Sequence, residues 1–396
     1  MRRVQREQNP RSGPHSGPNP VSSIALAAFL TIGCAGSSVD PRQISNSRAG
    51  AYESALEAVP GGLVAAWYDT RDGNGEIYLR SIDAQGGPAG PEIRLTESPE
   101  ESYEPSLAAA GDAIAVAWYD KALDGTLTGY VGVWNLEGDR RWTAALPSHS
   151  RNPVICADEQ AIVVSWIQKE ADGSEAVWLG TWDHAGTPIG VPHQLGPAHR
   201  TTWNLNAALD ADRVAWVVFD AVAGTQASEL FLAQAGAGEP SLMRLTADDG
   251  FESKYPDIAL RDGRVALTWF DAKDGNTEVY LFAGTPADMR SGLDTRARRV
   301  TTTAGESIGA YLAWNGERIG LAWSDETHGQ HEVYFQPFDA AGNPLAEASR
   351  LTRNRTSSLI PAIEPWRDGF ALAWTEYTPV GEGHGGRSEI AFVVVP

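Results

Sequence analysis

Apolar and polar residues alternate with period two in short runs along most of this chain, most clearly between Arg94 and Asp120. Ile114, Val116 and Trp118 share one side of such a run, because successive side chains of a β-strand point to opposite faces. Upstream, Arg94-Leu95-Thr96 reads as the end of an outer strand, an acidic connector follows up to Pro105, and a small-residue strand is centred on Leu107. That order of outer strand, connector and inner strand is the seam between two stacked sheets.

The seam recurs seven times. Aligning the copies on the aromatic position gives Trp67, Trp118, Trp166, Val218, Trp269, Trp323 and Trp374, spaced by 51, 48, 52, 51, 54 and 51 residues. Eleven residues upstream stand Leu56, Leu107, Ile155, Ala207, Ile258, Leu312 and Ile363, and two upstream stand Ala65, Val116, Val164, Trp216, Leu267, Leu321 and Leu372. A period near fifty that keeps three apolar columns in step marks a repeat array. The pattern predicts an all-β, seven-bladed β-propeller with four-stranded antiparallel blades, strands a to d running outward from the axis.

In blade 1 strand b is expected at residues 63–68, strand c at 76–79 and strand d at 92–96. Asp-Gly and Gly-Asn in the turns supply the positive φ that tight hairpins need. Blades 4 and 5 depart at their c–d turns, where residues 234–240 and 286–298 read as irregular turns. Near the start, Ser45-Asn46-Ser47 takes the place of Leu95-Thr96-Glu97, while the last blade, residues 361–395, lacks an outer strand of its own. The N-terminal strand is therefore expected to pair with Ala391-Phe392-Val393-Val394-Val395 and close the ring, which leaves no unpaired edge there. The domains that follow are a leader at 1–33, a tether at 34–44 and the propeller at 45–396.

Composition changes this picture little: 42% hydrophobic content with 41 glycines and 24 prolines suits a large, turn-rich β-protein. Charge narrows the partners. A net charge of -20 without a long basic run after the leader argues against nucleic acid, since phosphate binding needs clustered Lys and Arg, and biases the surface toward cationic partners. The leader carries Arg2, Arg3, Arg6 and Arg11 ahead of an apolar run, residues 21–32, that is too short to span a bilayer. It ends in Leu30-Thr31-Ile32-Gly33-Cys34 and resembles a bacterial lipoprotein signal, which would make Cys34 the lipidated N-terminus of a monomer exported and anchored at the outer membrane, with a plain secretory signal as the alternative. Cys156 then has no disulfide partner and reads as a small buried hydrophobe.

Two copies of a longer motif, Asp72-Gly73-Asn74-Gly75-Glu76-Ile77-Tyr78 and Asp274-Gly275-Asn276-Thr277-Glu278-Val279-Tyr280, are joined by Arg-Leu-Thr runs at Arg94, Arg244 and Arg350. These repeats resemble those of TolB-type propellers, relatives of WD repeats. The resemblance implies the propeller fold and a leaning toward protein binding in the cell envelope, and it transfers no functional residue. The chain departs from it in its Trp-x-Asp ends to strand b and in its seven copies, where the TolB protein has six.

Candidate chemistry falls into four groups. Carboxylates follow the aromatic position at Asp69, Asp120, Asp220, Asp271, Asp325 and Glu376, and others open strand c at Glu76, Glu175, Glu229, Glu278, Glu332 and Glu389. Such pairs could serve acid–base catalysis or hold Ca2+. Repetition in nearly every blade instead points to a structural bond, because a catalytic pair is needed only once. A sialidase-like or lyase-type carbohydrate-active enzyme is the competing class. Its Arg-Ile-Pro motif is missing, and its Asp-box is approached only by Ser81-Ile82-Asp83-Ala84-Gln85-Gly86. His328, His331 and His384 lie in b–c turns of blades 6 and 7 and are weak candidates for Zn2+, with exposed, solvated imidazoles as the plainer reading. No cofactor is expected to be required.

The fourth group is where the repeats differ. Positions 15 and 14 residues before the aromatic column should ring one mouth of the central channel: Tyr52-Glu53, Tyr103-Glu104, Arg151-Asn152, Trp203-Asn204, Lys254-Tyr255, Ile308-Gly309 and Leu359-Ile360. Blades 2 to 5 are aromatic and cationic there, and the connectors add His149, His199 and Arg200. This composition suits a recognition patch, although drift of loop residues would give the same pattern. The expected function is binding of an envelope protein or a polysaccharide on the face made by the d–a and b–c connectors.

Overall fold

The computed structural model describes residues 40–224, 227–378 and 387–396. The leader with Cys34, and His384, lie outside them. Seven four-stranded antiparallel sheets are present, each ordered from the axis outward as expected. In blade 1 the strands are Ala51–Val59, Gly62–Asp69, Glu76–Ile82 and Pro88–Arg94, each longer than its apolar pattern suggested or shifted by a few residues. The last blade takes its outer strand from Arg42–Gln43, where Arg42 faces Phe392 and Gln43 faces Ala391. That strand starts within the stretch read as tether. Its register also differs by one residue from the expected alignment: Ile44 N–H donates to Ile390 O at 2.8 Å, as Leu95 N–H does to Ile77 O at 2.7 Å, so Ser45 stands where Thr96 does.

Alternation along strand b separates two buried faces rather than a buried face from a wet one. In blade 2, Ile114, Val116 and Trp118 pack against Val64 and Ala66 of blade 1. The opposite face, Ala113, Ala115 and Ala117, receives Ile162, Val164 and Trp166 of blade 3. Large side chains thus wedge against strand b of the preceding blade, here the alanines of blade 2, which spaces the sheets around the ring. Four wedge tryptophans also donate from Nε1 to the carboxylate two residues on, as at 3.2 Å for Trp67 and Asp69 and at 3.0 Å for Trp118 and Asp120, whereas Trp166 donates to the Gln168 amide and Trp323 Nε1 is buried without a partner among the described residues.

Blade 4 carries a correction. Val218 is not the wedge: Phe219 stacks on Phe231 at 5.5 Å, as Trp67 does on Tyr78 and Trp118 on Tyr130. Its a–b hairpin is one residue longer, since Ala58 pairs with Leu63 in blade 1 but the equivalent Leu209 pairs with Ala215. Ala221, not Asp220, therefore takes the place of Asp69, and Val217, not Trp216, that of Ala65. In blade 3 the b–c hairpin is longer by one, because Gln168 faces Ala176 where Asp69 faces Glu76. Glu175 thus falls outside the strand-c carboxylate series.

Residues 286–298 are also more than a turn. Pro286–Arg296 is a helix whose N-cap Thr285 and N3 residue Asp288 form a capping box, with Pro at its start. Met289 and Leu293 are buried against blade 5. Thr-Pro-Ala-Asp is a recognisable helix start.

Candidate functional site

The repeated carboxylates are occupied. Glu76 accepts from Thr96 Oγ1 at 2.5 Å and Arg94 at 2.7 Å, and Glu278 and Glu332 hold Thr301 with Arg299 and Thr352 with Arg350. Asp120 accepts from Ser98 and Ser102, and Asp271 from Ser253. Such charge-assisted bonds join strands c and d or neighbouring blades and leave little for catalysis. Glu229 differs. Thr246 donates to it at 2.6 Å, but its other oxygen is buried without a partner and burial raises its pKa to about 7.

All seven innermost strands line one cavity of about 400 Å³. Every one of them carries a bulge at the same place, between Tyr52 and Ala55 in blade 1 and between Tyr103 and Ser106 in blade 2, for example. Five non-glycine residues at the position 14 before the wedge sit at positive φ: Glu53 and Glu104 at 50°, Asn152 at 47°, Tyr255 at 52° and Ile360 at 55°. A left-handed residue costs about 1–2 kcal/mol, and the bulge re-aims its side chain. The start of strand a lies beside the end of strand b and the start of strand c, since Ala51 faces Asp69 and Asp69 faces Glu76. The ring of bulges therefore belongs to the face of the d–a and b–c connectors.

Two arcs make up this mouth. The first, in blades 7, 1 and 2, is a chain of tyrosines: Tyr52 lies 5.1 Å from Tyr68 and 6.1 Å from Tyr377, Tyr68 is edge-on to Tyr103 at 5.0 Å, and Tyr103 lies 5.8 Å from Tyr119. Glu104 accepts from Tyr119 Oη at 2.9 Å and Asn152 Nδ2 at 2.8 Å. Glu53 has its N–H bonded to Thr375 Oγ1 at 2.9 Å, while its carboxylate has no hydrogen-bond partner among the described residues. Burial, and then the charge of Glu104, push the Glu53 pKa up to about 8, and burial raises that of Glu104. The Tyr68 and Tyr119 hydroxyls are raised too, first by burial and then by these carboxylates.

The second arc is the exposed side. Trp203 is 47% exposed and Tyr255 40%, with Tyr255 stacked on Phe270 at 5.3 Å and Lys254 Nζ lying 4.9 Å from the Trp203 ring centre. Asp220 underpins it. Displaced by the longer hairpin, it accepts from the N–H groups of Trp203 at 3.2 Å, Asn204 at 2.7 Å and Tyr255 at 3.2 Å, and burial lifts its pKa to about 6. Glu175, displaced likewise, holds Arg151 through both oxygens at 3.0 Å. Deeper in the channel Asp257 accepts from Ile258 and Leu312 N–H groups, with burial raising its pKa to about 7.

Of the residues expected at the mouth, Asn152, Trp203, Asn204 and Tyr255 line the cavity, Tyr52 and Tyr103 stand in the tyrosine chain, and Lys254 packs on Trp203. Arg151 is present but spent on Glu175, Asn152 and backbone carbonyls. His199 is elsewhere: it is buried against Phe219 and Phe231, and burial lowers its pKa. Arg200 is exposed beside a separate hollow with Val222 and Gly224. His331 has a buried, unpartnered Nδ1, and the neighbouring Glu332 is already taken by Arg350 and Thr352. Among the described residues no three His, Cys, Asp or Glu side chains converge on a metal position. Cys156 donates to Ala207 O at 3.2 Å, and burial pushes its pKa up to about 12. Sequence reasoning missed Asp220 and Glu175 as parts of the mouth. The Phe219-x-x…Phe231 spacing was the available signal for the first.

No family model matches the sequence, and no curated protein matches it. Among solved structures, the phage phi92 endosialidase is similar, with a TM-score of 0.51 at 9% identity over 90% of this chain and 69% of that one. A prolyl endopeptidase gives 0.52 at 14% identity over 86% of this chain and 47% of that one. The β-propeller domain of the Trilobed protease from Pyrococcus furiosus gives 0.40 at 13% identity over 77% and 99%. At these identities the endosialidase and the prolyl endopeptidase share the fold alone with this chain, which by its own sheet order is a seven-bladed β-propeller with its N-terminal strand in its C-terminal blade.

Proposed function

We propose that this chain is a TolB-like binding module of a bacterial cell envelope, exported and held at the outer membrane through Cys34, which captures an envelope protein or polysaccharide at the channel mouth. The observation that carries the reading is the mouth itself, where a cavity of about 400 Å³ is rimmed by exposed Trp203 and Tyr255 with convergent carboxylates and amides beneath them. Aromatic anchors over a few polar groups are the usual make-up of a recognition site. Replacing Trp203 and Tyr255 together by Ala, followed by pull-down from envelope extract and a glycan array, tests it. The double variant should lose the species captured by the wild type while its melting temperature stays within a few degrees. Unchanged capture would remove the mouth as the binding site.

The second reading, a carbohydrate-active enzyme, is favoured by one observation: Glu53 and Glu104 line the same cavity as a pair of carboxyl groups, of which Glu53 is raised by burial and then by the charge of Glu104 to about 8 and so holds a proton for acid–base chemistry. The endosialidase acts, by its name, on sialosides, whose carboxylates would meet Glu53, Glu104 and Asp257 in this cavity. No lysine, arginine or histidine lines the cavity to receive such a carboxylate, which argues for a different ligand. Turnover of any glycoside that is lost in Glu53→Gln would establish the enzyme reading.

A further inference from the structure

The cavity lining includes three carboxylates, Glu53, Glu104 and Asp257, and no lysine, arginine or histidine. Asp257 is satisfied by two backbone N–H groups and Glu104 by a tyrosine hydroxyl and an amide. Glu53 alone of the three is left without a donor, although its backbone is held at a φ of 50° that a glutamate adopts only at a cost. Beside it Ser54, 9% exposed and also on the cavity wall, has a buried hydroxyl with no partner. Glu53 is half-buried, and a partly desolvated carboxylate without a donor is unfavourable unless it is neutralised or paired, so the protein maintains here a group that an incoming cation would complete.

The surroundings define the cation. A divalent metal asks for six or more oxygen ligands or a cluster of His, Cys and acidic side chains, whereas Glu104 and Asp257 are committed to donors and no such cluster exists among the described residues. An organic ammonium asks for one or two acceptors and rewards aromatic faces; Tyr255, Tyr311 and Trp203 line this cavity, and the Trp203 ring already carries the ammonium of Lys254 at 4.9 Å. We propose that the channel mouth recognises an alkylammonium group, the Glu53 carboxylate receiving its N–H donors while the aromatic rim surrounds its carbon stem. The inference rests on the reading of the mouth as the binding site and names the ligand class for it.

Binding is coupled to a proton. Facing Glu53 and Glu104 are Tyr52, Tyr68 and Tyr377 from blades 1 and 7, Tyr119 from blade 2, Arg151 from blade 3, and Tyr255 and Tyr311 from blades 5 and 6. Of these Arg151 alone is cationic, and it is held by Glu175. An ammonium that pairs with Glu53 therefore displaces the proton the carboxyl carries near neutrality, and affinity rises with pH up to about 8.

Calorimetry on the full chain tests this with 1,5-diaminopentane and a lysine-containing tetrapeptide as separate arms, and with 1-pentanol and glutarate as neutral and anionic controls. At pH 7, in two buffers of different ionisation enthalpy, the expected result is binding of at least one amine with release of close to one proton. Glu53→Gln should weaken that binding at least tenfold, whereas Glu229→Gln, which does not line the cavity, should leave it within twofold. Preference for the peptide assigns the ammonium to a protein partner, and preference for the diamine assigns it to a small molecule. Equal binding to Glu53→Gln, no proton release, or no binding of either amine overturns the inference. If the Trp203 and Tyr255 double variant still loses its envelope partner in that case, the mouth remains the binding site and only the ligand class fails; if it does not, both readings fall.

Discussion

The Ser45 hydroxyl donates to the Glu389 carboxylate at 2.6 Å across 344 residues of sequence, and it accepts from the Ile390 N–H at 2.7 Å. Thr96 and Glu76 make the same arrangement within one blade, so the closing blade is built by the repeat's own chemistry with its outer part supplied from the other end of the chain. Ser47 adds a second link, its N–H donating to Glu389 and its hydroxyl to Asp69. Hydrogen bonds to charged groups contribute about 1.5–3 kcal/mol, and a buried carboxylate left without them costs more. Ser45→Ala should lower stability by about 2 kcal/mol in urea unfolding followed by circular dichroism, and deletion of residues 40–47 should lower it by considerably more. A deletion that melts like the wild type would show that the ring does not depend on this closure.

Asp220 should matter more than its place in a repeated Trp-x-Asp pattern suggests. Three N–H groups at the mouth depend on it, and an asparagine can accept from them only weakly while bringing donors of its own. Asp220→Asn is expected to destabilise by about 2 kcal/mol and to shift Trp203 fluorescence, whereas Asp220→Ala should cost about 3 kcal/mol. Wild-type fluorescence and stability in both variants would contradict the role assigned to it.

Stability should fall with rising pH across the neutral range. Burial raises Glu53 to about 8, Glu57, Glu229 and Asp257 to about 7, and Asp220 to about 6. The native state then keeps protons that the unfolded chain releases near pH 4 to 4.5, so the contribution of these groups is complete below about pH 4 and is lost as the pH climbs through 6 to 8. The melting temperature is expected to be higher at pH 5 than at pH 8, and Glu229→Gln should reduce the difference. A melting temperature that rises between those values would contradict the sign.

Cys34 should be acylated. Radiolabelled palmitate supplied to cells expressing the full chain is expected to enter the wild type and not Cys34→Ala, which should leave the membrane fraction. Equal labelling of both proteins would place the anchor elsewhere or abolish it.

Blade number, strand order and ring closure were legible because they arise from local alternation repeated at a fixed period, and a wedge such as Trp118 declares its face within five residues of sequence. The tyrosine and tryptophan positions of the mouth were legible for the same reason, being fixed offsets within that period. Where a hairpin gained one residue, as in blades 3 and 4, the reading slipped: Glu175 and Asp220 were counted with the structural series, yet each turns to the mouth. A one-residue shift reverses the face of every following side chain in a strand, and the repeat alone does not say whether the insertion falls before or after a given position. Thr285-Pro286-Ala287-Asp288 was passed over as loop because the period predicted a turn there, while its capping box made a helix.

By itself, then, the sequence determined the sheets, their number and, outside blade 4, which column of residues wedges between them, since these follow from side-chain alternation and burial within short segments. The tertiary structure alone decided which carboxylates of the mouth are satisfied and which one is not. Glu53 lacks a donor, Asp220 has three and Arg151 is committed to Glu175 because of contacts between blades, made by residues dozens of positions apart whose approach depends on the ring having closed.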